Sequence, residues 1–381
     1  MKKRKKKEDR SLQQPEIRVV ISGGGTGGHI FPAIAIANAL KAMNPKNEIL
    51  FVGAKGRMEM EKVPAAGYSI EGLNISGIQR KLSLSNLKLP FKIIQSVLRA
   101  RTIVRSFKPD VAIGVGGYAS GPLLFAASGM KIPCLIQEQN SYAGITNKIL
   151  SRRVRKICVA YEGMEKYFPK EKIILTGNPV RQDIQNLEGK RDEALKFFGL
   201  VPEKKTVLLI GGSLGARTLN ECLQEGWKKL ASENVQLIWQ TGKLFFPRIA
   251  NIQGEAAKAG VCITPFIQRM DLAYAAADVV ISRAGASSVS ELALAAKPAV
   301  LVPSPNVAED HQTKNAMALV NVNAAVLVRD ADAGLNLINT CLSLVKNTSQ
   351  QEQLKKSIQS LALPDSAAKI AAIVYSLVQP S

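Results

Sequence analysis

The sequence predicts an α/β protein of two similar domains, each built on a parallel sheet, facing one another across a cleft. Three observations carry this fold class. Short apolar runs alternate with helix-like stretches, the pattern restarts after Gly177-Asn178-Pro179, and each half opens with a strand that runs into glycines and then a helix start. Runs without polar alternation mean that both faces of each sheet are covered, the mark of parallel sheets flanked by helices. At 381 residues the chain can give each of two domains its own core.

In the first half, residues 17–22, 48–52, 111–115, 134–137, 157–160 and 173–175 read as buried strands. In the second, 206–210, 236–240, 262–264, 279–282, 300–302 and 325–328 do so. The charged stretch 188–203 reads as the entrance to the second domain, and the chain from Ser349 onward as two helices broken near Pro364. The glycine loops are Gly23-Gly24-Gly25-Thr26-Gly27-Gly28-His29 and Gly211-Gly212-Ser213-Leu214-Gly215-Ala216. Such backbone approaches a phosphate closely and offers it the free N–H groups of a helix N-terminus. Gly23-x-Gly25-x-x-Gly28 also fits the dinucleotide fingerprint. The second strand, however, ends Phe51-Val52-Gly53-Ala54-Lys55, without the acid that would hold a ribose. That argues against a nicotinamide oxidoreductase, and no cofactor is expected.

Composition narrows the class. Apolar content of 46% fits a globular protein, and the longest apolar runs fall short of a membrane span. Five scattered cysteines with no C-x-x-C pair read as reduced thiols, with neither disulfide nor metal roles. The net charge of +21 has two visible sources. Residues 2–7 are an unbroken basic run, read as a solvated tail. Residues 72–109 hold no acid but eight basic groups, among them Lys88, Lys92, Arg99, Arg101 and Arg105, interleaved with Leu84, Leu87, Phe91, Ile94 and Leu98. That mixture suits an anionic membrane surface or the solvated face of an ordinary amphipathic helix. A nucleic-acid footprint is weaker, for lack of interleaved aromatics and of any recognisable module.

Polar clusters sit where strands end, the edge at which α/β proteins bind ligands. One is Gln137-Glu138-Gln139-Asn140, and another runs from Ser282 and Arg283 through Gly285 to Glu291, which can accept from vicinal hydroxyls. His29 and His311 are the chain's two histidines. At a helix N-terminus His29 would stay neutral, able either to take a proton from an attacking hydroxyl or simply to pack the loop. Asp330-Ala331-Asp332 resembles a metal-binding D-x-D, but helix capping explains it better and no metal is expected.

Taken together these motifs resemble the MurG family, the N-acetylglucosamine transferases that complete the lipid-linked peptidoglycan precursor. The likeness runs from about Arg18 to the C-terminal helices. It includes Gly24 to His29, Gly116-Gly117-Tyr118, Glu138-Gln139-Asn140, Gly177-Asn178-Pro179-Val180-Arg181, Gly211-Gly212-Ser213 and Arg283 to Glu291. It implies the GT-B architecture, two Rossmann-like domains with the last helix returning to the first. The implied division is a basic tail (1–15), an acceptor- and membrane-facing domain (16–180), a UDP-GlcNAc domain (181–360) and the returning helix (361–381).

The implied reaction is inverting transfer of GlcNAc from UDP-GlcNAc to the C4 hydroxyl of undecaprenyl-diphospho-N-acetylmuramoyl-pentapeptide, lipid I. Carried over motif by motif, Arg181, Ser213, Ile267, Ala286, Ser287, Ser288, Val289, Ser290 and Glu291 line the nucleotide and diphosphate, with Glu291 on the ribose. Asn140 and Gln312 contact the transferred sugar. Thr26, Gly27 and Gly28 lie beside the reacting groups, with His29 the preferred base and Tyr118 and Glu138 its rivals or helpers. Implied partners are both substrates, an anionic membrane surface and other proteins of cell-wall synthesis, without nucleic acid. The implied location is the cytoplasmic face of the plasma membrane, bound peripherally. Two departures stand out: Gln137 replaces a histidine common in relatives, and His311-Gln312 replaces Gln-Gln of some. The rival expectations are a GT-B synthase of another glycolipid and a basic nucleic-acid-binding protein.

Overall fold

The computed structural model describes residues 14–75, 89–212, 215–307 and 310–378. Strands β1 (Arg18–Gly23), β2 (Glu48–Ala54), β3 (Ser69–Leu73), β4 (Val111–Gly116), β5 (Cys134–Glu138), β6 (Lys156–Val159) and β7 (Ile173–Leu175) form one sheet. Its order is β3-β2-β1-β4-β5-β6-β7, all pairs parallel. Strands β8 (Lys205–Ile210), β9 (Val235–Gln240), β10 (Val261–Thr264), β11 (Val279–Ser282), β12 (Ala299–Leu301) and β13 (Val326–Leu327) form a second. It is also parallel and repeats the pattern, β10-β9-β8-β11-β12-β13.

Strand β3 corrects the sequence reading, which placed six strands in the first half. Ser69-Ile70-Glu71-Gly72-Leu73 holds polar residues and a glycine because it is the sheet edge, half open to water, and its apolar run is too weak to read. In each sheet the strand order reverses between the first and fourth strands. The crevice at such a switch point is where open α/β sheets bind ligands. Both glycine loops lie there, one after β1 and one after β8.

In the first half, helices α1 (Gly27–Met43), α2 (Glu59–Ala65), α3 (Leu89–Phe107), α4 (Ser120–Gly129) and α5 (Ile145–Leu150) connect the strands. In the second, α6 (Arg191–Phe198) leads into β8, as the charged 188–203 stretch suggested. Then follow α7 (Arg217–Ser232), α8 (Gln253–Lys258), α9 (Met270–Ala276), α10 (Ala286–Leu294), α11 (His311–Val320), α12 (Ala333–Lys346), α13 (Thr348–Ser360) and α14 (Ser366–Val378). Alternate residues of β1 feed opposite faces: Val19 and Ile21 meet Ile30, Ile36 and Leu40 of α1, while Val20 meets Leu123 and Leu124 of α4. Both faces are dry, which is why the strands lack polar alternation. The five cysteines are unpaired, and burial pushes the thiols of Cys134, Cys158 and Cys341 up to about 12.

Helix α14 does not stay with the half that precedes it. After the break at Pro364 it packs on α1, placing Ile370, Ala371 and Val374 in the core beneath β1 and β4. Its Tyr375 hydroxyl lies 2.8 Å from Asn47 Nδ2, and the Asn47 Oδ1 accepts from the Ile17 amide. The C-terminus thus closes the first domain's hydrophobic face. Ile370→Ala should therefore destabilise the protein by about 2–5 kcal/mol through the cavity it leaves. Tyr375→Phe, which removes one partner of a buried amide, should cost only about 1 kcal/mol. Urea unfolding of the two variants should separate them in that order.

Candidate active site

The first glycine loop is shaped by a residue the sequence reading missed. Glu59, fully buried at the start of α2, accepts from the Gly25 amide (2.9 Å) and the Ala54 amide (3.0 Å). A Cβ at Gly24 would strike this carboxylate. The loop is pinned from the other side by Gly116-Gly117: the Gly24 amide donates to the Gly116 carbonyl (3.3 Å), and a Cβ at Gly117 would collide with the Gly24 carbonyl. Both glycines have positive φ, +107° and +88°, so each needs glycine for backbone shape as well as for space. With Gly24 and Gly25 so engaged, the amides left facing outward are those of the first turn of α1, at Gly27 and Gly28, which have no partner within a helix. No motif in the sequence marks Glu59.

His29 stands in that first turn, and its Nδ1 lies 3.0 Å from Gln139 Oε1. Burial lowers its pKa from the ordinary 6.5, against upward pulls from Glu138, from hydrogen bonds to Gln139 and Val115, and from Glu59. The neutral ring is favoured, as expected, but desolvation is the largest cause. Tyr118, directly after Gly117, is half-exposed with 49% of its surface open.

Glu138 has a different setting. Its buried carboxylate accepts at Oε1 from the Asn140 amide (3.1 Å) and Asn140 Nδ2 (3.3 Å). Its Oε2 accepts from the Gly144 amide (3.0 Å) and Asn147 Nδ2 (2.9 Å). Four donors on two oxygens make it an anchor for the Asn140 turn and the start of α5, a poor setting for taking a substrate proton. Asn140 in turn accepts at Oδ1 from Asn315 Nδ2 of α11 (3.2 Å), and the Asn315 Oδ1 accepts from Ser141. The two halves meet here.

A cavity of about 630 Å³ opens in the second half. It is lined by Gly211, Gly212, Gly215 and Ala216, by the start of α7, by Arg283, Gly285 and Ser288 at the start of α10, and by Ser304, Gln312 and Asp330. A Cβ at Gly215, φ +79°, would collide with the Thr241 carbonyl. Ala286, Ser287 and Ser288 form the first turn of α10, and Gln312 Oε1 accepts from the Ser304 amide (2.9 Å). Ser213, from the same loop, lies outside the described residues. Glu291 sits between Tyr274, whose hydroxyl donates to it (3.1 Å), and Arg181, whose Nε lies 3.6 Å away. Burial raises its pKa from 4.5, and Arg181 and Tyr274 oppose the shift.

Two carried-over positions turn their side chains elsewhere. Ile267 and Val289, each 3% exposed, pack in the core of the second half, so only their backbone can line a ligand. The two aspartates of Asp330-Ala331-Asp332 form ion pairs, Asp330 with Arg283 and Asp332 with Arg329 (2.7 Å), and Asp330 also accepts from the Thr218 hydroxyl (3.2 Å). Asp332 stands at the N-cap of α12, yet its side chain makes no capping hydrogen bond, which corrects the capping expectation.

Comparison with known proteins agrees with this arrangement. Residues 19–159 match the model of the glycosyltransferase family 28 N-terminal domain, and residues 206–370 that of its C-terminal domain. A Phocaeicola vulgatus protein named UDP-N-acetylglucosamine–N-acetylmuramyl-(pentapeptide) pyrophosphoryl-undecaprenol N-acetylglucosamine transferase is 55% identical over 96% of this chain and 97% of its own. One of the same name from Bacteroides fragilis is 54% identical over 99% of this chain and all of its own. The crystal structure of Acinetobacter baumannii MurG superposes with a TM-score of 0.76 at 29% identity, over 95% of this chain and all of that one. The chain belongs to glycosyltransferase family 28, among the MurG enzymes.

Proposed function

We propose that this chain transfers N-acetylglucosamine from UDP-GlcNAc to the lipid-linked N-acetylmuramoyl-pentapeptide, lipid I, the reaction named for its relatives in peptidoglycan synthesis. The observation that carries the reading is the link from the His29 loop to α10 through Gln139 and Asn178: Gln139 Oε1 lies 3.0 Å from His29 Nδ1, and Asn178 Nδ2 donates to the Gln139 carbonyl (2.9 Å) and to Ser290 Oγ (3.0 Å). In this reading residues 16–180 take the acceptor, 181–360 the donor, and 361–381 return to the first domain. UDP-GlcNAc occupies the 630 Å³ cavity, with the N-termini of α7 and α10 on the diphosphate, and Glu291, one turn along α10 from the cavity's Ser288 and outside its lining, on the ribose. Gln312 and Asn140 meet the transferred sugar.

The acceptor's C4 hydroxyl attacks the anomeric carbon from the face opposite UDP, His29 takes its proton, and UDP departs with the bonding pair. Negative charge grows on the diphosphate, where preorganised amides and helix dipoles stabilise it. Thr26, Gly27 and Gly28 cradle the acceptor's own diphosphate, and Tyr118 faces the acceptor from the opposite loop.

The acceptor is anchored in a membrane, and among the described residues no helix is long and apolar enough to cross one. The domain must therefore approach the surface. Helix α3 buries Ala100, Ile103 and Val104 and exposes Phe91, Ile93, Ile94 and Leu98 beside Lys92, Arg101 and Arg105. Exposed Phe125, Ile145 and Ile149 on α4 and α5 extend the apolar character of this domain. Leu84, Leu87 and Lys88 lie outside the described residues, and Arg99 is partly engaged with Glu71 (3.1 Å). This face docks peripherally on the anionic cytoplasmic leaflet, each free basic group contributing roughly 1 kcal/mol.

Three results test the reading. Glu291→Ala should weaken UDP-GlcNAc binding by roughly 1.5–3 kcal/mol in calorimetry, the worth of charge-assisted hydrogen bonds to the ribose. His29→Ala should cut turnover by ~10²–10⁴ with little change in donor affinity. Because burial lowers the His29 pKa below 6.5, the base is neutral above that pH, so kcat should be flat through neutral pH and fall only on acidification. In a chain lacking residues 1–10, replacing Lys92, Arg101 and Arg105 with Gln should abolish co-sedimentation with anionic vesicles at low salt and leave activity on a short-chain soluble acceptor intact. Unchanged vesicle binding would reduce α3 to a solvated helix face.

A further inference from the structure

Three buried carboxamides run in one chain from the donor-side helix to the candidate base. Asn178, Gln137 and Gln139 are each at most 3% exposed. Asn178 Nδ2 donates to Ser290 Oγ (3.0 Å) and to the Gln139 carbonyl (2.9 Å). Gln137 Nε2 donates to Asn178 Oδ1 (3.0 Å). Gln139 Nε2 donates to Gln137 Oε1 and to the Val115 carbonyl (2.6 Å), and Gln139 Oε1 faces His29 Nδ1 (3.0 Å).

The direction of this chain is forced. A carboxamide oxygen and nitrogen are told apart by their partners, and a backbone carbonyl can only accept. The Val115 carbonyl therefore fixes the nitrogen of Gln139, and the Gln139 carbonyl fixes the nitrogen of Asn178. Gln137 then has one orientation that avoids setting NH₂ against NH₂ and oxygen against oxygen. Flipping any one amide would leave buried groups unpaired, at about 1–3 kcal/mol each. With its nitrogen so committed, Gln139 can offer His29 only an oxygen.

We propose that Gln139, oriented by Gln137 and Asn178, is a positioning residue that holds His29 as the Nδ1-protonated tautomer, keeping the Nε2 lone pair for the substrate hydroxyl. The inference rests on the reading of His29 as the base. A neutral imidazole carries one proton on two nitrogens, and only the bare one can accept. The hydrogen bond at the second nitrogen decides which one that is. Because the chain starts at Ser290, in the first turns of α10, the same amides tie the tautomer to correct seating of the donor-side helix against the first domain. Gln137, directly before Glu138, completes the chain.

The test is spectroscopic, and two histidines make it tractable. In ¹⁵N-labelled full-length protein, at a pH above the ring's pKa, His29 should show protonated Nδ1 and bare Nε2, with a His311→Gln variant giving the assignment. Gln139→Met removes the side-chain acceptor at nearly constant volume, leaving the Val115 carbonyl as the ring's other partner, and should move the proton toward Nε2. Its kcat should fall about 10- to 100-fold, less than the ~10²–10⁴ expected on losing the base itself. Its KM for UDP-GlcNAc should stay within about twofold, since no donor contact is lost. Gln137→Met, which touches neither ring nor substrate, should give a mixture of tautomers and a smaller loss. Wild-type His29 protonated at Nε2 would overturn the proposal, and so would an unchanged tautomer in Gln139→Met. If that variant does not fold, the wild-type spectrum and Gln137→Met decide alone. Full turnover by His29→Ala would instead refute the base assignment while the tautomer result stood.

Discussion

Carboxamides, chiefly Asn178 and Asn315, hydrogen-bond across the gap between the two halves, beside Tyr142 packed against His311 and Lys314. Asn178 reaches Ser290 of α10, and Asn315 joins Asn140 and Ser141 to the Ala284 carbonyl. Each such bond nets only about 0.5–1.5 kcal/mol, because water competes for the same groups. A few of them cannot weld two domains together. They can specify how the domains meet, since a wrong closure would leave the same amides dry and unpaired. Opening returns them to water at little cost, so the geometry selects one orientation while leaving separation available for substrate exchange.

The first domain holds two buried carboxylates close to the loop proposed here for the acceptor's diphosphate. Glu59 and Glu138 are both buried, and among the described residues no lysine or arginine pairs with either. Each is held by amide donors, which make short charge-assisted bonds and offset desolvation. These carboxylates spend the loop and turn amides on structure: Gly25 on Glu59, Gly144 on Glu138. What remains for a substrate anion is the helix start at Gly27 and Gly28. The same two carboxylates pull the His29 pKa upward, but burial outweighs them and the ring stays a base.

Much of this was legible in the sequence, for identifiable reasons. Unbroken apolar runs announce the central strands, buried on both faces, and persist in the edge strands β7, β10 and β13, so twelve of the thirteen strands could be read. The exception, β3, is an edge strand whose Glu71 and Gly72 dilute the pattern. The glycine loops were legible because close backbone approach tolerates no side chain, as Gly117 and Gly215 show. Glu59 was not, since nothing in Arg57-Met58-Glu59 says that the side chain folds back under Gly24. The amide chain from Ser290 to His29 was hidden for a stronger reason. Its members are up to 261 positions apart, and only the fold gives them an order. Ile267 and Val289 show the converse limit: a motif gives a position, but the side chain faces the core and leaves only backbone for the ligand.

The distribution of positive charge separates two tasks that a basic protein might be thought to share. In the donor cavity Arg283 is already neutralised by Asp330, and Arg217 pairs on the surface with Glu221. The cavity therefore offers an anion mainly the amides of two helix N-termini, α7 and α10. Fixed amides need no reorganisation as charge develops on a leaving group, and inside a cleft they are little screened. The excess behind the net charge of +21 lies partly in the basic run 2–7 and on α3, where screening confines its reach to about 8–10 Å at physiological salt. Such a range suits attraction to a nearby anionic sheet of headgroups and contributes little at the reacting bond. In the proposed reading, exposed basic side chains of α3 draw the domain to the membrane, while oriented backbone dipoles meet the departing phosphate.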